Sequence, residues 1–177
     1  MHEMRSAPYE PATVSGGDTE PGTLDEQQRR AHALELSAAT TFRLHERLLG
    51  ARPRIEAHFG MALGEPEPPQ FLTYGPGGFQ VPHRDVGDSP AGYARSISAV
   101  LFVNDQAEES DGDRYSGGSL VLYGLLGPAS IQHGIPVGGR SGQLVAFQSD
   151  VLHEVKAVED GQRHTAVAWY PPGDEPG

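Results

Sequence analysis

The chain of 177 residues contains no cysteine. Disulfides, thiolate nucleophiles, iron–sulfur clusters and Cys-ligated zinc are therefore excluded. Lys156 is its single lysine, so Schiff-base chemistry has one candidate amine at most. Positive charge is scarce: 13 Lys+Arg stand against 24 Asp+Glu, a formal net charge of −11. Such an acidic chain lacks the electrostatic footprint for phosphate backbones, which argues against nucleic acid as a partner. No run approaches the ~18 apolar residues of a membrane helix, so no membrane partner is expected. Met1-His2-Glu3-Met4-Arg5 leads into polar and turn residues. That argues against a secretory leader and makes the cytoplasm the expected compartment.

Turn formers are abundant, with 23 glycines and 15 prolines. Long helices should be scarce and loops frequent. The length suits one domain able to bury a core without staples. Residues 1–22, broken by Pro8, Pro11, Gly16, Gly17 and Pro21, read as a flexible arm. Residues 23–69 read as a helical support region and connector. Thr23 and Glu26 match a capping box, and Ala31, Leu34, Ala38, Phe42, His45 and Leu48 follow helical spacing. A helix is expected over 24–49, stopped at Gly50, with a shorter one from Pro53 to Gly60.

From Phe71 the texture changes to β. Strands are expected at 70–74, 79–85, 94–103, 118–123, 129–133, 143–148, 151–157 and 162–170. Tyr93 to Val103 is the clearest, with Ile97, Ala99, Leu101 and Val103 on one face and Ser96 and Ser98 on the other. A mainly β sandwich or jelly roll over 70–170 follows, with N-terminal helices packed outside and a short flexible tail at 171–177. The acidic loop 105–113 has no regular ligand spacing and reads as solvated.

Chemistry concentrates in Val81-Pro82-His83-Arg84-Asp85. Alternate residues of a strand share a face, so His83 and Asp85 project together. One imidazole and one carboxylate make two-thirds of the facial triad that holds non-haem Fe(II). Alone, His-x-Asp is common and fits a surface ion pair. His153, in a β-like run far along the chain, best supplies the missing histidine; His133 is the weaker rival.

Arg163 is the fourth element. A loop of Glu159-Asp160-Gly161, with Gly161 left-handed, sets Ala157 opposite Arg163 and His153 opposite Val167. In that hairpin His153, Arg163, Val167 and Trp169 face inward while His164 and Ala166 face outward. The offset separates His153 from Arg163 by roughly 13 Å at ~3.3 Å per residue, room for a five-carbon diacid. Arginine suits a carboxylate because it offers two parallel donors.

His83-x-Asp85, His153 and Arg163, in that order, resemble the Fe(II)/2-oxoglutarate-dependent dioxygenases. The prolyl 4-hydroxylase-like branch is the most similar. Tyr74-Gly-Pro-Gly-Gly-Phe-Gln-Val-Pro leading into His83, Arg95 through Asn104, Gly117-Gly118-Ser119-Leu120 and Arg163 through Tyr170 carry the likeness across residues 70–170. The resemblance implies a double-stranded β-helix. It implies Fe(II) on His83, Asp85 and His153, with 2-oxoglutarate and O2 as co-substrates and ascorbate in support. Arg163 is expected to clamp the far carboxylate of 2-oxoglutarate, with Tyr74 as a second donor. Phe102 stands where some relatives carry a tyrosine for that carboxylate. Asp85 favours hydroxylation, because related halogenases vacate that position.

The implied reaction is hydroxylation of an unactivated C–H, with release of succinate and CO2. The expected substrate is a prolyl or other aminoacyl residue of a peptide or protein. The alternatives are a tailoring hydroxylase of a free amino acid or small metabolite, and, behind it, a non-catalytic jelly-roll binding module. Arg84, Arg95 and Trp169 are candidate substrate contacts near the mouth. The charge of −11 suits a neutral or basic substrate, or local arginines working against the global field.

Overall fold

The computed structural model describes residues 2–16, 19–23, 25–86 and 94–174. In chain order its strands are β1 (Tyr9–Pro11), β2 (Val14–Gly16), β3 (Thr19–Thr23), β4 (Arg29–Arg30) and β5 (His32–Leu34), then β6 (Gln70–Tyr74), β7 (Phe79–His83) and β8 (Ile97–Phe102). There follow β9 (Ser116–Gly117), β10 (Leu120–Tyr123), β11 (Gly134–Val137), β12 (Leu144–Gln148), β13 (His153–Val155), β14 (Val158–Asp160) and β15 (Arg163–Tyr170). Two α-helices accompany them, α1 (His2–Ser6) and α2 (Ala38–Phe59).

Six strands form the larger sheet, in the order β1-β5-β6-β15-β8-β12, and five form the smaller, β11-β10-β13-β7-β4. Every pairing in them is antiparallel. This is the mainly β jelly roll that the strand pattern predicts. Period-2 alternation decides what each face meets. On β8, Ile97 and Ala99 pack with Ala168 and Tyr170 of β15 against Leu48 and Ile55 of α2. The alternate residues Val100 and Phe102 join Leu120, Leu122 and Phe147 between the sheets. Both faces of the central strands are therefore buried, one beneath the helix and one in the sandwich.

The helical region differs from the sequence expectation. Residues 25–34 hold a turn and two strands, not the first half of a helix. Asp25 closes the turn, accepting from the Gln27 amide through Oδ1 at 2.9 Å. β4 then pairs with β7, and β5 bridges β1 and β6. Ala31 and Leu34, which fit a helical stripe, are buried in two different clusters instead. The N-cap is Ser37, whose hydroxyl accepts from the Thr40 amide, while the side chain of Thr23 lies outside the described residues. Gly50 and Pro53 sit inside α2, which runs on to a left-handed C-cap at Gly60 with φ 66°. Packing of Leu48 and Ile55 on the sheet overrides the low helix propensity of Gly50 and Pro53.

Residues expected as a loose arm are built into the fold. β1 extends the larger sheet, Met4 is buried, and Glu3 accepts from the Ser37 amide and the Thr40 hydroxyl at the start of α2. The expected strand at 129–133 is displaced: Pro128–Ser130 form a 3-10 turn and β11 follows at Gly134. The clearest expected strand is trimmed to β8, and Tyr93 lies outside the described residues. The proposed hairpin between the His153 and Arg163 strands is absent. β13 pairs with β10 and β7, β14 pairs with β9, and β15 pairs with β6 and β8. Gly161 is left-handed as expected, at φ 79°, but it carries the chain from β14, paired with β9, into β15 of the larger sheet.

Candidate active site

His83 ends β7 and His153 begins β13, and their Cα positions are register partners across the smaller sheet. Asp85 follows two residues after His83, its amide held by the Ser149 carbonyl at 2.8 Å. One ligand atom from each of His83, Asp85 and His153 lies within 4.8 Å of the others. Both imidazole Nε2 atoms stand 3.5 Å from Asp85, His83 at Oδ1 and His153 at Oδ2. His133, the weaker rival, is not part of this cluster.

The rings are oriented by their own strands. Nδ1 of His83 donates to the Val81 carbonyl and Nδ1 of His153 to the Val151 carbonyl, each at 2.9 Å. A carbonyl can only accept, so Nδ1 carries the proton and each Nε2 keeps a lone pair for a metal. Asp85 is fixed just as firmly: its Oδ2 accepts from the Ser98 hydroxyl at 2.7 Å and from the Trp169 indole at 2.9 Å. Burial pushes the Asp85 carboxyl up. Hydrogen bonding to His83, the charges of His153 and His83, and the Trp169 donor outweigh it and hold the group well below the usual carboxylate range. His153 is pushed down, first by burial and then by His83, against the pull of Asp85. A carboxylate and two imidazole Nε2 atoms on one face are a donor set suited to a divalent transition metal.

These residues open onto a cavity of about 310 Å³ between the sheets. Arg163, Thr165, Val167 and Trp169, alternate residues of β15, line its opposite wall. His153 and Arg163 thus share a cavity as expected, but they face each other across the sandwich, not along one hairpin. Arg163 is 1% exposed and no described carboxylate pairs with it. Its Nη1 donates to the Thr165 hydroxyl at 3.4 Å, and its Nε has no partner among the described residues. The guanidinium sits 5.0 Å from the Tyr74 ring and 5.2 Å from the Phe102 ring. A buried cation without a counter-ion is costly, and a dicarboxylate in the cavity relieves it. The residues present therefore fit both Fe(II) and 2-oxoglutarate.

Other expected residues land differently. Tyr74 lines the cavity, its hydroxyl 3.4 Å from the Gln80 side chain. Arg84 points outward, as alternation after His83 requires, and donates to the Asp150 carbonyl. Arg95 lines the cavity but is engaged: it makes a bidentate pair with Glu67, at 2.7 and 2.9 Å, and stacks 3.7 Å over Trp169. Trp169 serves Asp85 through its indole N–H. Sequence reasoning missed Ser98, Thr165, Gln80 and Arg29. The polar alternation of Ser96 and Ser98 was a usable signal for the first. Gln80 Nε2 lies 3.0 Å from His83 Nε2. Arg29 was hidden by its assignment to a helix.

Comparison with known proteins agrees with this geometry. A family model described as the 2OG-Fe(II) oxygenase superfamily matches residues 69–171. A PKHD-type hydroxylase of Nitrosomonas europaea is 31% identical over 160 residues, covering 86% of this chain and 64% of that protein. One from Shewanella sp. (strain ANA-3) is 31% identical over 58% of this chain and 42% of its own length. The chain thus spans less than two-thirds of these relatives. Among solved structures, a prolyl-4-hydroxylase of Pseudomonas putida superposes with a TM-score of 0.61 at 22% identity, over 85% of this chain and 75% of that one. A Trichoplax adhaerens prolyl hydroxylase, in complex with a hypoxia inducible factor peptide fragment, gives 0.66 at 14% identity, over 95% and 72%. These two likenesses concern the fold.

Proposed function

Since the chain belongs to the 2OG-Fe(II) oxygenase superfamily, we propose that it is an Fe(II)- and 2-oxoglutarate-dependent hydroxylase of a prolyl or other aminoacyl residue in a peptide or protein. The observation that carries the reading is the pairing, in one cavity, of the His83, Asp85 and His153 cluster with an uncompensated, buried Arg163. Bound Fe(II), with O2 and 2-oxoglutarate, supplies oxidative chemistry: one oxygen atom enters the substrate C–H, and the other ends in succinate as CO2 leaves.

Each residue of the cluster has a defined task in this reading. His83 and His153 present Nε2 to the metal while their Nδ1 protons stay on backbone carbonyls. Asp85 offers Oδ1, because Oδ2 is occupied by Ser98 and Trp169. These three side chains would hold the metal on one face of the cavity. Arg163 binds the far carboxylate of 2-oxoglutarate, assisted by Thr165 and Tyr74. The peptide substrate is supported by the Trichoplax neighbour, whose structure holds a peptide fragment.

Anaerobic titration with Fe(II) or Mn(II) tests the metal site: one ion per chain is expected, and a His83→Ala, His153→Ala double variant should lose it. Under O2, with ascorbate present, peptides should raise succinate release above the uncoupled background. Unchanged metal binding in the double variant would sink the assignment. Stimulation by free amino acids but not by peptides would move the substrate to the small-metabolite class.

A further inference from the structure

The cavity wall carries three guanidiniums, Arg29, Arg95 and Arg163, and among its described residues one carboxylate, Asp85. In a chain of net charge −11 this is a local reversal of sign. Arg95 is neutralised by Glu67. Arg163 faces the co-substrate in the oxygenase reading. Among the described residues Arg29 has no counterpart: no carboxylate pairs with it, and its buried Nε has no hydrogen-bond partner. The one hydrogen bond of its side chain among the described residues runs from Nη1 to the Thr13 carbonyl at 2.9 Å.

Its position is set by the sheet. Arg29 lies on β4 directly opposite Gln80 of β7, and register partners project to the same face. Gln80 lines the cavity beside His83, so Arg29 enters that cavity one strand away from the metal strand. β4 is the edge of the smaller sheet. The guanidinium therefore flanks the cluster from the sheet edge.

Formal charge sharpens the point. A divalent metal on Asp85 keeps one positive charge, and with Arg163 that balances the dianion of 2-oxoglutarate. Arg95 and Glu67 cancel. With metal and co-substrate in place, the described residues of the cavity still carry the charge of Arg29.

We infer that Arg29 binds a carboxylate of the primary substrate, so that the site selects an acidic substrate: either a free carboxylate of an amino acid or an Asp or Glu side chain beside the target residue of a peptide. The inference rests on the oxygenase reading and deepens it. It takes the second of the two alternatives that the composition leaves open, local arginines working against the global field. A planar guanidinium with unused donors, partly withdrawn from water, suits that carboxylate better than a neutral amide.

Calorimetry on the full chain loaded with Mn(II) and 2-oxoglutarate, without O2, tests this apart from turnover. The probes are a panel of N-acetyl amino acids with their N-acetyl amino amides, and capped Ala-Pro-Asp with capped Ala-Pro-Asn. At least one acid should bind about tenfold or more tightly than its amide partner. The arm in which that happens identifies the source of the carboxylate. In Arg29→Gln the preference should fall below about threefold, and Arg29→Lys should restore part of it. Affinity for 2-oxoglutarate should stay within about threefold in Arg29→Gln. Equal binding of acids and amides, no binding of any acid, or a preference that survives Arg29→Gln overturns the inference while the oxygenase reading stands. So does a large loss of 2-oxoglutarate affinity in Arg29→Gln, which would make Arg29 a co-substrate residue. A wild-type protein that takes up neither Mn(II) nor 2-oxoglutarate overturns the oxygenase reading itself, and the inference with it.

Discussion

A single buried charge explains more of this site than any motif does. Arg163 is 1% exposed, between two aromatic rings, with no described acid to answer it. Arg163→Ala should weaken 2-oxoglutarate binding tenfold to over a hundredfold, roughly the 1.5–3 kcal/mol or more of a charge-assisted contact. Metal affinity should hardly change. Titration of the anaerobic Mn(II) protein with 2-oxoglutarate checks both, and equal affinity in variant and wild type would give the role to another base. Trp169 makes the complementary case. Its indole is one of two donors on Asp85 Oδ2, so Trp169→Phe keeps an aromatic side chain and removes the bond. Metal affinity should fall about 10–100-fold, as for other residues that orient ligands, with far-ultraviolet circular dichroism and the urea midpoint near those of wild type. A variant that bound metal like wild type would leave Trp169 a packing residue. At this scale the meeting of His83, Asp85, His153 and Arg163 around one cavity was legible, from same-face spacing and a family resemblance taken together. The partners of Arg84 and Arg95 were not: Asp150 is 66 residues from Arg84 and Glu67 is 28 from Arg95. No local pattern encodes such meetings.

Among the elements, α2 shows how propensity is overruled and where it is not. Gly50 resembles a helix stop, yet it lies within α2, and a Cβ built there meets nothing within 4 Å. Gly60 is the actual stop, left-handed at φ 66°, and a Cβ there also meets nothing within 4 Å. Open space at both positions isolates the backbone effect. Gly50→Ala should stabilise by about 0.5–1 kcal/mol, because alanine loses less chain entropy in a helix. Gly60→Ala should destabilise by roughly 1–2 kcal/mol, because an L-residue is strained in that conformation. Urea denaturation of the two variants should give shifts of opposite sign. Shifts of the same sign would mean that α2 ends elsewhere. The helix start was misread for a related reason. Ala31 and Leu34 extend the helical spacing of the residues after Ser37, but their burial is supplied by sheet edges. Apolar period alone does not say which surface will cover a residue.

For the molecule as a whole, the jelly roll was legible while its pairing was not. Alternation correctly sorted β15 into Arg163 and Trp169 on one face and His164 and Ala166 on the other. It could not show that β13 and β15 belong to opposite sheets, because a strand's faces are independent of its neighbours. The outer face of β15 is covered too, and His164 pays the consequence. It is 5% exposed beneath the N-terminal segment, in a second cavity that Met4, Arg5 and His32 also line, and its Nδ1 has no partner among the described residues. Burial first, and then the charge of Arg5, push its pKa down to about 4. The unfolded chain takes up this proton near the ordinary value of 6.5, so between pH 6.5 and 4 it binds more protons here than the folded protein does. Stability is therefore complete above that range and falls as the pH drops through it, by roughly 1–2 kcal/mol after solvent screening. Gln cannot titrate, so His164→Gln should remove this slope whatever its effect at neutral pH. Urea denaturation of both proteins at pH 7 and pH 4.5 isolates the group, since the other carboxylates and histidines titrate alike in the two. The wild type should lose more stability than the variant on acidification. Equal losses would mean that His164 already binds its proton in the folded protein, and that the N-terminal segment makes room for the charge.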